Sequence, residues 1–443
     1  MSATKAHLEP LPAEVDEPRR FVDVFRRGFA ITFALDVLVR ALSVATVVVL
    51  IRGLDVSQYA FMTLFMSIAQ FGGSAAMGGV RTRYLREEAE RRSRGQHGGG
   101  LSFATALASS TVMTVGLGAA GLLLIWATGF GGDVVDSRLL AVYALGYALG
   151  FSALELSIAY YQARLRFLAA ACLNVARAGS TLVLAVVVTA ASQPLAWLGL
   201  WFAGGMLALG VGAALPIARR SWSWKRHFLA SQAFLLAAEE RWLSVYYLAA
   251  AAFVYVDVVV AGALLNQHDV ATLGVAIRYL AIVLGAMPAL GAILRVRTAQ
   301  FDLVDSPLEQ GRILWAWLRR ASLPALVLFV LAEALVPFVL PWVNEGRYSA
   351  SVPALQIYLV TALATYATAP GPSILMTQRR YARLALIYVA GMVVNLMGDV
   401  AVARHFGIVG IASVSATTFV AIDALILAAA LAGTRVVSRR GIG

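Results

Sequence analysis

Residues 29–51 and 60–80 are two apolar runs joined by the eight-residue link RGLDVSQY, and the second runs into RTRYLREEAERRSR, six arginines in fourteen residues. About 20 apolar residues form a helix long enough to cross the hydrocarbon core of a bilayer. Two such runs with a short turn between them and a basic segment behind them predict a helical membrane hairpin. The pattern recurs along the chain, and twelve spans are drawn: 29–51, 60–80, 101–126, 138–161, 169–191, 195–216, 242–265, 273–294, 321–340, 354–376, 384–403 and 407–431. Backbone groups in lipid must be bonded within the segment. The expected fold class is therefore an all-α polytopic membrane protein of about twelve transmembrane helices.

Charge sets the orientation. Hydrophobic residues make up 60% of the chain and charged residues 14%, with a mean hydropathy of +0.77, against about 25% charged residues in soluble domains. With the N-terminus placed inside, 29 of the 36 Lys and Arg fall in inside segments, and only Arg52, Arg138, Arg347 and Arg404 lie in outside links. The positive-inside rule then places both termini in the cytoplasm. These basic loops face anionic lipid rather than nucleic acid. Arg26–Arg27 stand before a first run too long for a signal core, so this run is read as a retained helix. One cysteine, Cys172, and five scattered histidines give neither a disulfide framework nor a metal-ligand spacing.

The loops divide the chain. Residues 1–20 are polar and read as a disordered cytoplasmic tail, 21–216 as a first lobe of six spans, 217–241 as a cytoplasmic linker, 242–431 as a second lobe of six, and 432–443 as a second tail. The segment LEQGRILWAWLRR has the pattern of an amphipathic interfacial helix. A gapless slide of 214 residues lays Asp55-Val56 on Asp269-Val270 and Arg81-x-Arg83 on Arg295-x-Arg297. Six spans separate the matching segments, so the repeats are parallel.

Two stretches carry a family likeness. VVLIRGLDVSQYAFMTLFMSIAQFGGSAAMGG, with Arg52, Tyr59 and Gly78–Gly79, resembles the first hairpin of the polysaccharide-biosynthesis, O-antigen-type flippases of the multidrug/oligosaccharidyl-lipid/polysaccharide (MOP) exporter superfamily. Ala60 stands where that family usually has glycine. NLMGDVAVARHFGIVGIASVSATT (395–418) resembles the family's Asn-led penultimate span and its glycine turn into the last helix. The resemblance implies two six-helix lobes forming a V around a cavity that opens alternately to either side.

Charges inside spans are costly, about 2.5–3.5 kcal/mol each at mid-helix, and so mark candidate sites. Asp36 and Arg40 are spaced i, i+4 on one face. They form either an intrahelical pair that eases insertion, or a cavity-facing Arg40 oriented by Asp36. Arg177 lies deep in span five, and Arg278 lies about a turn and a half into span eight, where it can snorkel outward or face the cavity. A guanidinium grips a pyrophosphate through paired hydrogen bonds. Arg40, Arg177 and Arg278 are therefore headgroup candidates for the pyrophosphate-linked lipid that the resemblance implies. Arg81, Arg83, Arg295 and Arg297 are a candidate cytoplasmic rim, or simple topology anchors. Asp36, Asp257 and Asp423 are candidates for cavity charge or for coupling to a proton or sodium gradient; Glu155, Glu333 and Asp399 are further acids inside spans.

Pro288 and Ala369-Pro370-Gly371-Pro372 predict kinked helices, and Gly146-x-x-x-Gly150 predicts a close helix contact. Gly116-x-Gly118-x-x-Gly121 spells a dinucleotide fingerprint but lies inside an apolar helix with no strand before it.

The expectation is a flippase of the bacterial cytoplasmic membrane. By the resemblance its cargo is a polyprenyl-pyrophosphate-linked oligosaccharide, and its partners are membrane lipids and polysaccharide-assembly proteins. A proton- or sodium-coupled multidrug or cation antiporter is the alternative. A membrane glycosyltransferase or polymerase fits less well, because the outside links are too short for the sizeable catalytic loop such enzymes need and the longer inside segments show no nucleotide-binding or acid-pair motif.

Overall fold

The computed structural model describes residues 18–93, 102–128, 137–164, 166–191, 194–221, 241–285 and 307–440. They are helical, with no strand among the described residues. The helices are α1 (Pro18–Gly53), α2 (Val56–Ser93), α3 (Phe103–Thr128), α4 (Ser137–Ala163), α5 (Phe167–Ala190), α6 (Leu195–Ser221), α7 (Arg241–Leu264), α8 (Gln267–Leu284), α9 (Pro307–Val343), α10 (Ser351–Thr368), α11 (Pro370–Thr377) and α12 (Tyr381–Arg440). Nine of the described helices are long and apolar enough to cross a membrane, or ten if α10 and α11, bent by 51° at their junction, are one broken span. That bend falls on the predicted Ala369–Pro370 break. The chain is a multi-pass membrane protein.

Helix α12 holds two predicted spans end to end. Gly407, at φ 57° and ψ −143°, breaks it into two limbs. A side chain is strained at that φ, so glycine makes the turn. The segment LEQGRILWAWLRR is helical and continuous with α9, ahead of that helix's apolar span from Leu323. Leu314 is buried there, and Trp317 donates from its indole to the Tyr366 carbonyl at 3.0 Å, which holds the segment against α10. Pro288, Arg295, Arg297 and the linker beyond Ser221 up to residue 240 lie outside the described residues.

The two halves pack alike. In the first, α1 lies against α5, α2 against α4, and α4 against α3 and α6; in the second, α7 lies against α12, α8 against α10, and α10 against α9 and α12. The halves meet through α2 with α7 and α8, and through α1 with α8. The helix caps give the repeat register. Asp55 caps α2, its Oδ1 accepting from the Gln58 backbone N–H at 2.8 Å, while Gln58 Oε1 accepts from the Asp55 N–H at 3.2 Å. Asn266 caps α8, its Oδ1 accepting from the Asp269 N–H at 2.9 Å. Both are cap residues bonded to the third helical position. The structural repeat is therefore 211 residues, not 214. The slide placed Asp55 on Asp269 because both are aspartates, although they occupy different cap positions.

The buried core is distributed unevenly. At the end of the bundle carrying the α1–α2 and α7–α8 links, one core runs from Leu50, Tyr59 and Phe65 of the first half to Val270, Tyr348 and Tyr358 of the second. At the opposite, arginine-rich end there are two cores. One gathers Met77, Tyr84, Phe103 and Ile217; the other gathers Tyr246, Leu314, Ile374 and Ile426. The core is shared by the halves at the link end and divides into one core per half towards the arginine end, where α2 and α7 still touch: Gly78 and Gly79 lie against Tyr247 and Ser244, and the Thr82 and Tyr247 hydroxyls are 3.0 Å apart.

A clasp strengthens the fused end. Arg52 Nε donates to the Val343 carbonyl at 2.9 Å and meets Glu345 at 3.5 Å, Arg347 donates to the Arg52 carbonyl at 3.2 Å, and the Tyr279 hydroxyl donates to Asn344 Oδ1 at 3.1 Å. The loop from Asn344 to Ala350 turns through Glu345 and Gly346, both at positive φ (54° and 73°). Within the first half, Gly150 and Gly210 let the α4 and α6 backbones touch, the close contact predicted for the Gly146-x-x-x-Gly150 face.

Candidate functional site

The candidate charges separate into four groups. Arg40 is paired with Asp36 on its own helix, Nη2 to Oδ2 at 2.6 Å, and also donates to the Gly285 carbonyl. The described part of α8 stops at Leu284 and Gly285, and the Tyr366 hydroxyl donates to the nearby Val283 carbonyl at 2.8 Å. The last carbonyls of a helix lack intrahelical partners and carry the negative end of its dipole. Arg40 and Tyr366 satisfy two of them. Arg40 is thus a cap that ties α1 to α8, with Asp36 balancing its charge.

Arg177 and Arg81 share one carboxylate. Glu155 of α4 accepts from Arg177 Nη1 at 2.6 Å and meets Arg81 Nη1 at 3.2 Å, and Arg81 also donates to Gln162 at 3.2 Å. Two guanidinium groups on one carboxylate leave an excess positive charge in the first half, and Arg177 lies 5.7 Å over the Phe151 ring. Arg81 and Arg83 do not act as a pair, because Arg83 turns away to Glu87 at 2.5 Å. Two residues apart on a helix point in different directions.

Arg278 differs from both. It lies eleven residues into α8, about three turns, because α8 begins at Gln267 and its first turns are buried in the joint core. That depth removes the snorkelling option. Among the described residues no carboxylate pairs with it, and its Nε is buried without a hydrogen-bond partner. Its guanidinium stands beside the Tyr59 hydroxyl, which is also buried without a bonded partner. The charges of Arg278 and Arg177 both reach the Tyr147 and Tyr255 hydroxyls, and Tyr255 donates to Gln70 at 3.0 Å. Residues of α2, α4, α5, α7 and α8 thus converge at the seam between the halves.

The fourth group lies inside the second half. Asp257 Oδ2 accepts from the Tyr358 and Ser415 hydroxyls, each at 2.6 Å, and its Oδ1 accepts from Asn395 Nδ2 at 2.9 Å. The same Asn395 nitrogen reaches Asp399 Oδ2 at 3.2 Å, and Asp399 Oδ1 is buried with no partner. Asp257 is 4% exposed and Asp399 0%. Neither has a basic partner among the described residues. Asp423 stands apart, accepting from the Thr365 hydroxyl at 3.1 Å. Sequence reasoning singled out Asp257 and counted Asp399 among the intramembrane acids, but assigned no role to Tyr358, Asn395 or Ser415. The usable signal was Asn395 and Asp399 at i, i+4 in a stretch already marked by its family likeness.

No family model and no curated sequence matches the chain. Its fold has clear counterparts among solved structures. A multidrug-resistance MATE-family transporter of the MOP superfamily, in an inward-facing conformation, matches with a TM-score of 0.68 over 93% of this chain and 99% of its own, at 12% identity. The lipid II flippase MurJ, in an inward closed conformation, matches at 0.67 over 90% of this chain and 87% of its own, at 10% identity. The fold is that of the MOP-superfamily transporters. A MOP-superfamily transporter from Pyrococcus furiosus, described as having a binding pocket of reverse polarity, matches at 0.61 over 94% of this chain and 95% of its own, at 12% identity.

Proposed function

We propose that this protein is a flippase that carries a polyprenyl-pyrophosphate-linked oligosaccharide across the bacterial cytoplasmic membrane by alternating access. The lobes of the cycle are 21–216 and 242–431, joined by the cytoplasmic linker 217–241, with both termini inside. The observation that carries the reading is Arg278: a half-buried guanidinium whose Nε is fully buried and which has no carboxylate partner among the described residues, beside the excess charge of Arg177 and among tyrosine hydroxyls at the seam between the halves. A buried cation without a counter-ion is costly, and a pyrophosphate supplies the missing anion through bidentate bonds. Tyr147, Tyr255 and Gln70 offer hydroxyl and amide partners for a sugar, while the polyprenyl tail stays in lipid. The lipid II flippase among the structural counterparts moves a lipid-linked cargo.

A second observation bears on energy. Asp257 and Asp399 bring carboxyl oxygens together without a cation, and Ser415, Asn395 and Tyr358 complete an oxygen-rich nest. This nest suits a coupling proton or sodium ion. It also favours the antiporter as a second reading, since the same coupling would drive drug or cation export in a MATE-type cycle.

The deciding experiment is the leaflet location of the lipid-linked oligosaccharide in cells with and without the protein. Cytoplasmic-side accumulation in its absence, relieved by wild type and not by Arg278→Ala at equal protein level, supports the flippase. Normal flipping without the protein would turn the assignment to drug and cation export.

A further inference from the structure

Asp423 is the buried carboxylate that the flippase cycle leaves without a task. It is 5% exposed and lies two helical turns beyond Ser415 on α12. Its facing groups are hydroxyls. Thr365 of α10 donates to it, the Thr368 hydroxyl, which donates to the Ala364 carbonyl, lies near, Tyr388 of the first limb of α12 stands beside it, and the Tyr246 ring of α7 packs on Tyr388 at 5.1 Å between centroids. No Lys or Arg among the described residues pairs with it. A bare carboxylate in such surroundings costs several kcal/mol, so the site fits a carboxyl that carries a proton.

Its placement relative to the Asp257 nest is regular. On α12, Ser415 bonds Asp257 and Asp423 follows eight residues later; on α10, Tyr358 bonds Asp257 and Thr365 bonds Asp423 seven residues later. Both helices therefore set the two acids about 10–12 Å apart along the bundle. One aromatic pair fills the gap. Phe253, one turn from Asp257 on α7, meets Phe419, midway between Ser415 and Asp423, at 4.2 Å between ring centroids. The buried Thr361 hydroxyl lies at the same level of α10, bonded to the Tyr358 carbonyl.

We propose that Asp423 is a second proton station inside the second half, on the arginine-end side of Asp257, and that the Phe253–Phe419 pair is the gate between the two. The proposal rests on the reading of Asp257 as the coupling site and adds the route by which the proton leaves it. A proton taken up at Asp257 passes to Asp423 when the rings part, with Thr361 and Thr365 hydroxyls along the way. Closed rings keep the lobe from leaking protons while no cargo moves.

The test is proton entry into proteoliposomes of the full chain, without cargo, driven by a valinomycin-set potassium potential and read by an internal pH dye. Wild type should show little influx. Phe419→Ala should raise influx about tenfold, Phe419→Leu less, and Phe419→Ala with Asp423→Asn should return it to the wild-type level. Each variant is taken as a single monodisperse species. An unchanged influx in Phe419→Ala, or a leak that survives Asp423→Asn, overturns the station. Asp257→Asn separates the two readings. If it blocks flipping while the Phe419→Ala leak ignores Asp423, the coupling site stands and the inner station falls. If it flips normally, the coupling reading falls whatever the leak does.

Discussion

Thr63 of α2 and Gly274 of α8 occupy equivalent positions in the two halves, 211 residues apart, and they pack against each other. A Cβ built on Gly274 would clash with the Thr63 methyl and hydroxyl, well inside van der Waals contact, and would lie 2.9 Å from its Cβ. Residues related by a two-fold axis touch each other only where the axis passes between them. This contact therefore marks the line about which the halves are arranged, within the fused core at the link end. The neighbouring contact of Leu64 with Gly262 of α7 is similarly close, so both crossings of α2 use a glycine to bring backbones together.

Gly274→Val should lower thermal stability in detergent, by an overpacking cost of about 1–3 kcal/mol. Thr63→Gly combined with Gly274→Thr exchanges the two residues across the axis and should recover most of the loss. A double variant as unstable as Gly274→Val alone would show that the axis does not pass there.

The three arginines should separate by phenotype. Arg278→Ala removes a cation that has no carboxylate partner among the described residues, so it should abolish cargo transport with protein level intact. Arg40→Ala leaves Asp36 and the Gly285 carbonyl unbonded, and a deserted buried partner costs about 1–3 kcal/mol, so its main effect should be reduced stability and yield. Arg177→Ala leaves Glu155 with Arg81 and should weaken transport more than stability. Quantitative blots beside transport rates distinguish the three, and equal stability loss for Arg40→Ala and Arg278→Ala would contradict the assignment.

The helical class was legible because the hydrophobic run lengths are fixed by the bilayer, while nine helices of membrane length, or ten with the bent pair, stand among the described residues against the twelve drawn spans. The kink at Ala369–Pro370 was legible from lost backbone donors. The partners of the intramembrane charges were not. Glu155 meets Arg177 across 22 residues, and Asp257 meets Ser415 across 158. Such pairings depend on which helices touch, and spacing along one helix carries none of that. Arg40 and Asp36 were legible as a pair because they are four residues apart. The bond from Arg40 to the Gly285 carbonyl was hidden, since nothing in the letters says that α1 meets α8 there. Arg278 was read as shallow because its span was drawn from hydropathy, which excludes the polar first turn Gln267-His268-Asp269 that the helix includes.

The clasp at the link end must open if the cavity is to face the other side. Arg52→Cys with Glu345→Cys, in a Cys172→Ala background because Cys172 is exposed, should react with a short bis-thiol cross-linker and stop transport. Cleaving a reducible linker should restore it. Full transport by a quantitatively cross-linked sample would show that the halves do not separate at Arg52.

Asp55 offers a pH test outside the membrane-spanning segments. Hydrogen bonds from the Gln58 backbone N–H and from Ser57 favour its ionised form and hold its carboxyl below the usual carboxylate range. A group whose folded pKa is depressed stabilises the fold fully above its unfolded value, about 3.9, and loses that contribution as pH falls through the folded value. Asp55→Ala removes the cap and should cost about 1 kcal/mol at neutral pH. The gap in melting temperature between wild type and Asp55→Ala should hold from pH 7 to about 5 and shrink below about 4. Asp55→Asn keeps a cap oxygen but no charge, so its stability should lie between the two and follow pH less steeply than wild type. A gap that stays constant to pH 3 would mean that the Asp55 charge contributes nothing to the turn that starts α2.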